Sequence, residues 1–278
     1  MRDVRNILLY AWTLLLAGLW TSCATYCANA QDDAAAEQSA EPEAIPPKHH
    51  PWARFPIGAW RKVRIVEHVL DKEQQVTSRS EILRTEHLRD VSPPQFTLEQ
   101  SVTIDVGGER IQSPPITVTL GMATDEPGTV QSFTKASAES IALDGKDVVA
   151  RVLIVETGGE AYTVRTRLSY SPDEPPYMLR SISEAVVPAS QETVWWRSRK
   201  VLARELPYQW RDELFSATFW EEQHVSSKGT RHSIFVAAEP VPGGVLTRWT
   251  KETDSEGRLI RREFQKLLDW GVEDAIAD

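Results

Sequence analysis

Cysteine is the scarcest residue in this 278-residue chain: there are two, Cys23 and Cys27, and both fall within the first thirty positions. That segment reads as an export signal. Arg2 and Arg5 give a basic start, Ile7 to Trp20 is an almost unbroken apolar run, and Ala28-Asn29-Ala30 is a small-x-small cleavage site before Gln31. A mature chain beginning at Gln31 has no thiol, which excludes cysteine nucleophiles, thiolate metal sites and disulfides from its chemistry. Two alternatives keep the N-terminus on a membrane. One is an uncleaved anchor, since the uncharged stretch continues to Ala30 although the apolar run is shorter than the roughly 20 residues of a spanning helix. The other is lipid attachment at Cys23 or Cys27, although neither Trp20-Thr21-Ser22 nor Ala24-Thr25-Tyr26 resembles the Leu-Ala-Gly type of sequence that precedes a lipidated cysteine.

The second absence is of catalytic motifs. No Gly-x-Ser-x-Gly elbow, His-Glu-x-x-His, phosphate-cradling glycine loop or Asp-x-Asp calcium loop occurs. His49 and His50 close a polar segment and read as a solvated pair. His68 and His87 sit in similar settings, Glu67-His68-Val69 and Glu86-His87-Leu88, but a hairpin turning near Lys72 to Gln74 would separate them along its ladder. Glu221-Glu222 beside Trp220 suggests a glycosidase acid, yet neighbours on a strand point to opposite faces, so the two cannot form a facing pair and read as solvated. These observations predict no catalytic residue, no metal site and no cofactor.

Positive charge is also in short supply. Lys and Arg number 31 against 40 Asp and Glu; removing residues 1–30 deletes two cations, Arg2 and Arg5, and one anion, Asp3, so the net charge moves from −9 to −10. An acidic exported chain is a poor partner for nucleic acid or anionic lipid heads. A periplasmic or secreted address in a bacterial envelope suits an exported domain without disulfides.

Organisation follows from composition. Residues 31–48 are mostly Ala, Glu and Pro with little to bury and read as a disordered acidic linker. Residues 49–270 form a β-rich domain, with sub-halves at 49–125 and 138–270, and 271–278 are a tail. Phe96, Leu98, Val102, Ile104 and Val106 alternate with polar residues before Gly107-Gly108 supplies a reversal, and Ser113-Pro114-Pro115 interrupts the return strand. A meander follows, turning at Asp144-Gly145 and Gly158-Gly159. Val148 to Val155 is apolar on both faces apart from Arg151, which predicts a central strand. Longer strands rich in tryptophan occupy the last third, and Phe264 to Trp270 has either helical spacing or forms a last strand. Leu168 to Ser183 echoes Phe235 to Thr250 as repeated hairpin geometry. The expected fold is all-β: a strongly curved antiparallel sheet or open, incomplete β-barrel of about ten or more strands with little helix.

Aromatic residues supply the hint of a binding surface. Trp195-Trp196 must send one ring inward and one outward, and Trp210, Phe219, Trp220, Phe235 and Trp249 crowd the same third. Such rings fill cores, and they also line apolar cavities. Ile234-Phe235-Val236, then Glu239-Pro240-Val241-Pro242-Gly243-Gly244-Val245, then a long charged strand, resembles exported bacterial β-rich domains of unknown function with a lipoprotein-carrier-like outline. That resemblance implies an incomplete barrel with an apolar concave face, although the helices that close the carriers' barrel mouth have no counterpart here. The resulting expectation is a non-enzymatic envelope protein that holds an apolar ligand, lipid or acyl chain, with Trp196, Phe219, Phe235 and Trp249 facing it. The alternative is a structural module with a filled core that meets envelope protein or glycan through surface aromatics.

Overall fold

The computed structural model describes residues 45–127, 129–159 and 162–273. The signal segment, its Ala28 to Gln31 cleavage site and linker residues 31–44 lie outside them.

Among the described residues one sheet contains fourteen strands. In chain order they are β1 (Ala59–Leu70), β2 (Val76–Ser92), β3 (Gln95–Val106), β4 (Glu109–Gln112), β5 (Ile116–Gly121), β6 (Thr129–Leu143) and β7 (Lys146–Gly158). Then come β8 (Thr163–Tyr170), β9 (Met178–Val186), β10 (Thr193–Trp210), β11 (Glu213–Ser226), β12 (Gly229–Ala238), β13 (Val245–Asp254) and β14 (Leu259–Val272). All pairings are antiparallel. The order is β4-β3-β2-β1-β14-β13-β12-β11-β10-β9-β8-β7-β6, with β5 beside β3, so the first strand pairs with the last and the edges stay apart. The fold is therefore the open, curved all-β sheet that the alternation predicts. The described residues contain one helical turn, Pro47–His49, and no helix long and apolar enough to cross a membrane.

Two features of the sequence reading are corrected. Val148 to Val155 lies in β7, next to the edge strand β6, and Val149 is 71% exposed, so coverage on both sides is confined to its second half, where Val152, Leu153 and Val155 are buried. Phe264 to Trp270 belongs to β14, where a bulge explains its helix-like spacing. Lys62 pairs with Asp269 but Val63 with Leu267, so Leu268 is the extra residue that breaks the alternation.

The described part of the Pro-rich segment already contributes to the core. Ile45 is 2% exposed in a core cluster with Leu153, Val155 and Leu168. The two echoing hairpins, β8–β9 and β12–β13, are each pinned by a buried hydroxyl pair, Thr166 with Ser183 and Ser233 with Thr250, both at 2.9 Å.

A candidate ligand cavity between the arms of the sheet

Paired residues on neighbouring strands share a face, so one cross-strand row can be followed over much of the sheet. Ile82 on β2 pairs with Ile65 on β1, which pairs with Gln265 on β14. Gln265 pairs with Arg248 on β13, Arg248 with Phe235 on β12, Phe235 with Trp220 on β11, and Trp220 with Val201 on β10. Arg248, Phe235 and Trp220 line a cavity of about 650 Å³. Its other walls come from β1 to β3, through Arg61, Glu86, Phe96 and Leu98, and from the segment His50 to Arg54.

The aromatic part of the wall is a stack. Trp220 and Phe235 lie 5.8 Å apart with rings 2° from parallel. The Arg248 guanidinium sits 4.8 Å over the Phe235 ring and that of Arg199 5.8 Å from it. Across the cavity Arg61 stands 5.1 Å over Trp52. This second contact depends on Gly243: with φ at +70°, a Cβ there would lie 2.5 Å from Arg61 Nη1 and 2.6 Å from Trp52 Nε1. The Pro-x-Pro-Gly-Gly piece thus brings the β12–β13 loop onto the cavity wall, and Gly243 N–H donates to the Pro51 carbonyl.

Charges cluster in this interior. Arg61 donates to Glu86 at 2.5 Å, Arg84 approaches the same carboxylate at 3.4 Å, and Gln100 donates to it at 3.3 Å. Arg199 bridges two acids, Glu222 at 2.8 Å and Asp125 at 2.9 Å, and Arg197 pairs with Glu126 at 2.8 Å. Burial opposes ionisation of Glu222, but Arg199, Arg248 and Arg197 outweigh it and bring its pKa down to about 2. Burial likewise opposes the charge on Asp125, and His50 and Arg199 overcome it, holding the carboxyl below its ordinary range. Glu86 follows the same pattern, with Arg61 and Arg84 as the prevailing influences. Glu126 goes the other way, because its burial exceeds the pull of Arg197.

Arg248 stands apart. Its Nε is buried without a hydrogen-bond partner, and among the described residues no carboxylate lies within ion-pair distance of it. Burial pulls its pKa down to about 10, with Glu222 the main influence resisting, so it stays a cation at neutral pH.

Both histidines of the expected solvated pair are buried, which corrects that reading: His49 is 8% and His50 1% exposed. His49 stacks on Tyr177 at 3.8 Å and hydrogen-bonds the Tyr170 hydroxyl. His50 Nδ1 accepts from the backbone N–H of Trp52 at 3.2 Å and of Ala53 at 3.1 Å. In the neutral ring the proton must therefore sit on Nε2, 3.7 Å from an Asp125 oxygen. Nδ1 is thus occupied by backbone, and Nε2 is buried without a hydrogen-bond partner. Among the described residues no group of three or more His, Asp or Glu side chains could hold a metal ion.

Of the four aromatic residues singled out in the sequence, Phe235 lies on the cavity wall. Phe219 is on the opposite face of β11 from Trp220 and packs against the cluster containing Val236. Trp249 follows Arg248 and so faces away from the cavity, 46% exposed beside Phe264. Trp196 pairs with Glu184 and Val225, on the face of β10 opposite Arg199 and Val201. Sequence reasoning missed Trp220, Trp52 and every charged residue of the site. The signal for Arg248 was there: it is the lone charge in the run Val245-Leu246-Thr247-Arg248-Trp249. Glu222 is 12% exposed and held by Arg199, whereas Glu221 is 31% exposed and bonds Lys200 and His232 on the outer face, so the solvated reading fails for Glu222.

No protein-family model and no curated protein matches the chain. Two solved structures are similar at low identity. A presumed exported protein with a YMCC-like fold from Bacteroides fragilis is 8% identical, with a TM-score of 0.31 over 78% of this chain and 96% of that one. A presumed lipoprotein from Parabacteroides distasonis is also 8% identical, with a TM-score of 0.28 over 76% of this chain and 95% of that one. Likeness at this level says nothing about ligand or activity.

Proposed function

We propose that this is an exported, non-enzymatic protein that holds a small amphiphilic molecule in the cavity between the arms of its sheet. The observation that carries the reading is the cavity itself: about 650 Å³, faced by the Trp220–Phe235 stack and by Trp52. Ligand sites fall at roughly 300–1,000 Å³ and combine apolar walls with a few polar groups. A core filled by side chains would leave no such space. Export is supported by the basic, apolar and small-x-small pattern of residues 1–30. A non-enzymatic role is supported by His50 Nδ1, which accepts from two backbone N–H groups, and by arginines that keep Glu86, Asp125 and Glu222 ionised.

The test is titration of the purified protein with an uncharged apolar fluorophore, N-phenyl-1-naphthylamine, alongside native mass spectrometry of protein as isolated. The expected outcome is saturable one-to-one binding that W220A weakens. Absence of both probe binding and a co-purifying small molecule overturns the proposal in favour of a structural module. That second reading has its own support in the exposed patch formed by Ile234, Trp249 and Phe264 on the outer face, the kind of surface that meets a partner protein or glycan.

A further inference from the structure

The proposed cavity reading leaves open what kind of molecule would enter, and the charges around the cavity narrow it. Five guanidinium groups line the cavity, those of Arg54, Arg61, Arg199, Arg204 and Arg248, with five carboxylates, Glu86, Asp125, Glu174, Glu205 and Glu239. Four of the five arginines are in ion pairs with those carboxylates. Arg61 is paired with Glu86, Arg199 with Asp125, Arg54 with Glu239 and Arg204 with Glu174, while Glu205, exposed at the cavity, has no ion pair among the described residues. Among the described residues that line the cavity, the one arginine outside an ion pair is Arg248, and its Nε has no hydrogen-bond partner. It sits over Phe235, which on its other flank stacks with Trp220.

Enclosing a guanidinium without its counter-ion is costly, and neighbouring strands had carboxylates available to neutralise it. Glu222 is the nearest source of negative charge, but Arg199 holds it through both Nε and Nη2 at 2.9 and 2.8 Å. A planar guanidinium lying on an aromatic ring keeps its edge N–H groups for an oxyanion, and a carboxylate or phosphate can take two of them at once. We propose that Arg248 is the anchor for the anionic head of the ligand, an oxyanion-bearing molecule whose apolar body lies along Trp220 and Phe235. This inference rests on the cavity reading.

The experiment uses three probes of equal chain length, decanoate, decyl phosphate and decanol, titrated by calorimetry into the wild-type protein, R248Q and W249S. A charge-assisted hydrogen bond is worth about tenfold or more in affinity, so at least one of the two anions should bind wild type about tenfold or more tightly than decanol does. R248Q should bring that anion to the level of decanol while changing decanol affinity less than about twofold, because a neutral polar group of similar length fills the same place. W249S, which alters the outer face, should leave all three affinities as they are. Decanoate binding the tighter of the two assigns the head as a carboxylate, and decyl phosphate as a phosphate. Equal affinity for anions and decanol in wild type, or an anion preference retained by R248Q, overturns the anchor and leaves the cavity reading standing. No binding of any of the three overturns both.

Discussion

The two faces of β11 to β13 differ by a single step along the chain and by almost everything in chemistry. On the inner face, successive strands contribute Glu222 and Trp220, then Phe235, then Arg248; on the outer face their immediate neighbours are Glu221, Ile234 and Trp249. Both faces carry an acid and large hydrophobic side chains. What separates them is enclosure. Inside, a carboxylate is held by an arginine and an aromatic pair is stacked, whereas outside the same residue types meet water, with Trp249 46% and Ile234 38% exposed. Composition of a strand therefore says little about its role until the face is known, and three neighbouring pairs measure how far the faces diverge.

The widest gap is expected between Glu222 and Glu221. E222Q removes the counter-charge that Arg199 and Arg248 share, leaving Arg199 only Asp125 and Arg248 without its main one, and breaking a largely enclosed pair in this way costs about 3–5 kcal/mol. E221Q loses contacts at 2.8 Å to Lys200 and His232 at a solvated edge, which is worth less than about 1 kcal/mol. Urea unfolding of the two variants at neutral pH gives the comparison, and equal losses would show that the inner network is no more enclosed than the outer one. Acid should reproduce the E222Q effect in the wild type. With its folded pKa brought from 4.5 down to about 2, Glu222 contributes stability that is present above pH 4.5 and disappears as pH falls towards 2. Asp125 and Glu86 act in the same sense. Glu126 acts against them, because a raised carboxyl pKa favours the folded state on acidification. E222Q should accordingly lose less stability than wild type between pH 5 and pH 3.

A smaller contrast is expected at Phe235 and Ile234. F235A removes a ring that is 4% exposed and leaves space beside Trp220, at a cost of about 3 kcal/mol. I234A trims a side chain already 38% exposed, at a cost below about 1 kcal/mol. Melting curves of the two proteins decide it. A similar loss from I234A would mean that the outer patch of Ile234, Trp249 and Phe264 is covered in solution, as an interaction module requires.

Much of this architecture was legible before the structure. Alternation in Phe96 to Val106 gave a strand, and Gly107-Gly108 and Asp144-Gly145 sit where left-handed backbone is needed, with φ of 62°, 88°, 51° and 74°. The faces were not legible. By hydropathy Trp249 should point inward and Arg248 outward, and the reverse holds because the curved sheet encloses a charged space rather than a fat-like core. Nor could the chain reveal that β1 pairs with β14, which brings Arg61 and Glu86 to the same wall as residues nearly two hundred positions away. His49 and His50 read as solvated because the segment before them is rich in Ala, Glu and Pro, and their burial depends on Tyr170 and Phe96 in distant strands and on Tyr177 in the β8–β9 loop.

The third pair should show the smallest effect and a change of sign. Arg248 has no ion pair to lose, and its lowered pKa means that burial disfavours the charged form in the folded protein. R248M keeps the length and the contact with Phe235 while deleting the charge, so at neutral pH it should stabilise the protein by about 1–2 kcal/mol, after allowing for the lost guanidinium–ring attraction. W249S, its neighbour on the outer face, should change stability by less than about 1 kcal/mol. Denaturant unfolding without added ligand measures both. A destabilised R248M would make Arg248 a structural member held by the field of Glu222, and the inner face would then resemble an ordinary buried network. A stabilised R248M that has also lost the anion preference would mean that the chain keeps an unpaired cation at the expense of its own stability. Such an arrangement is expected of a binding group, because the ligand's oxyanion supplies the missing partner only when the cavity is occupied.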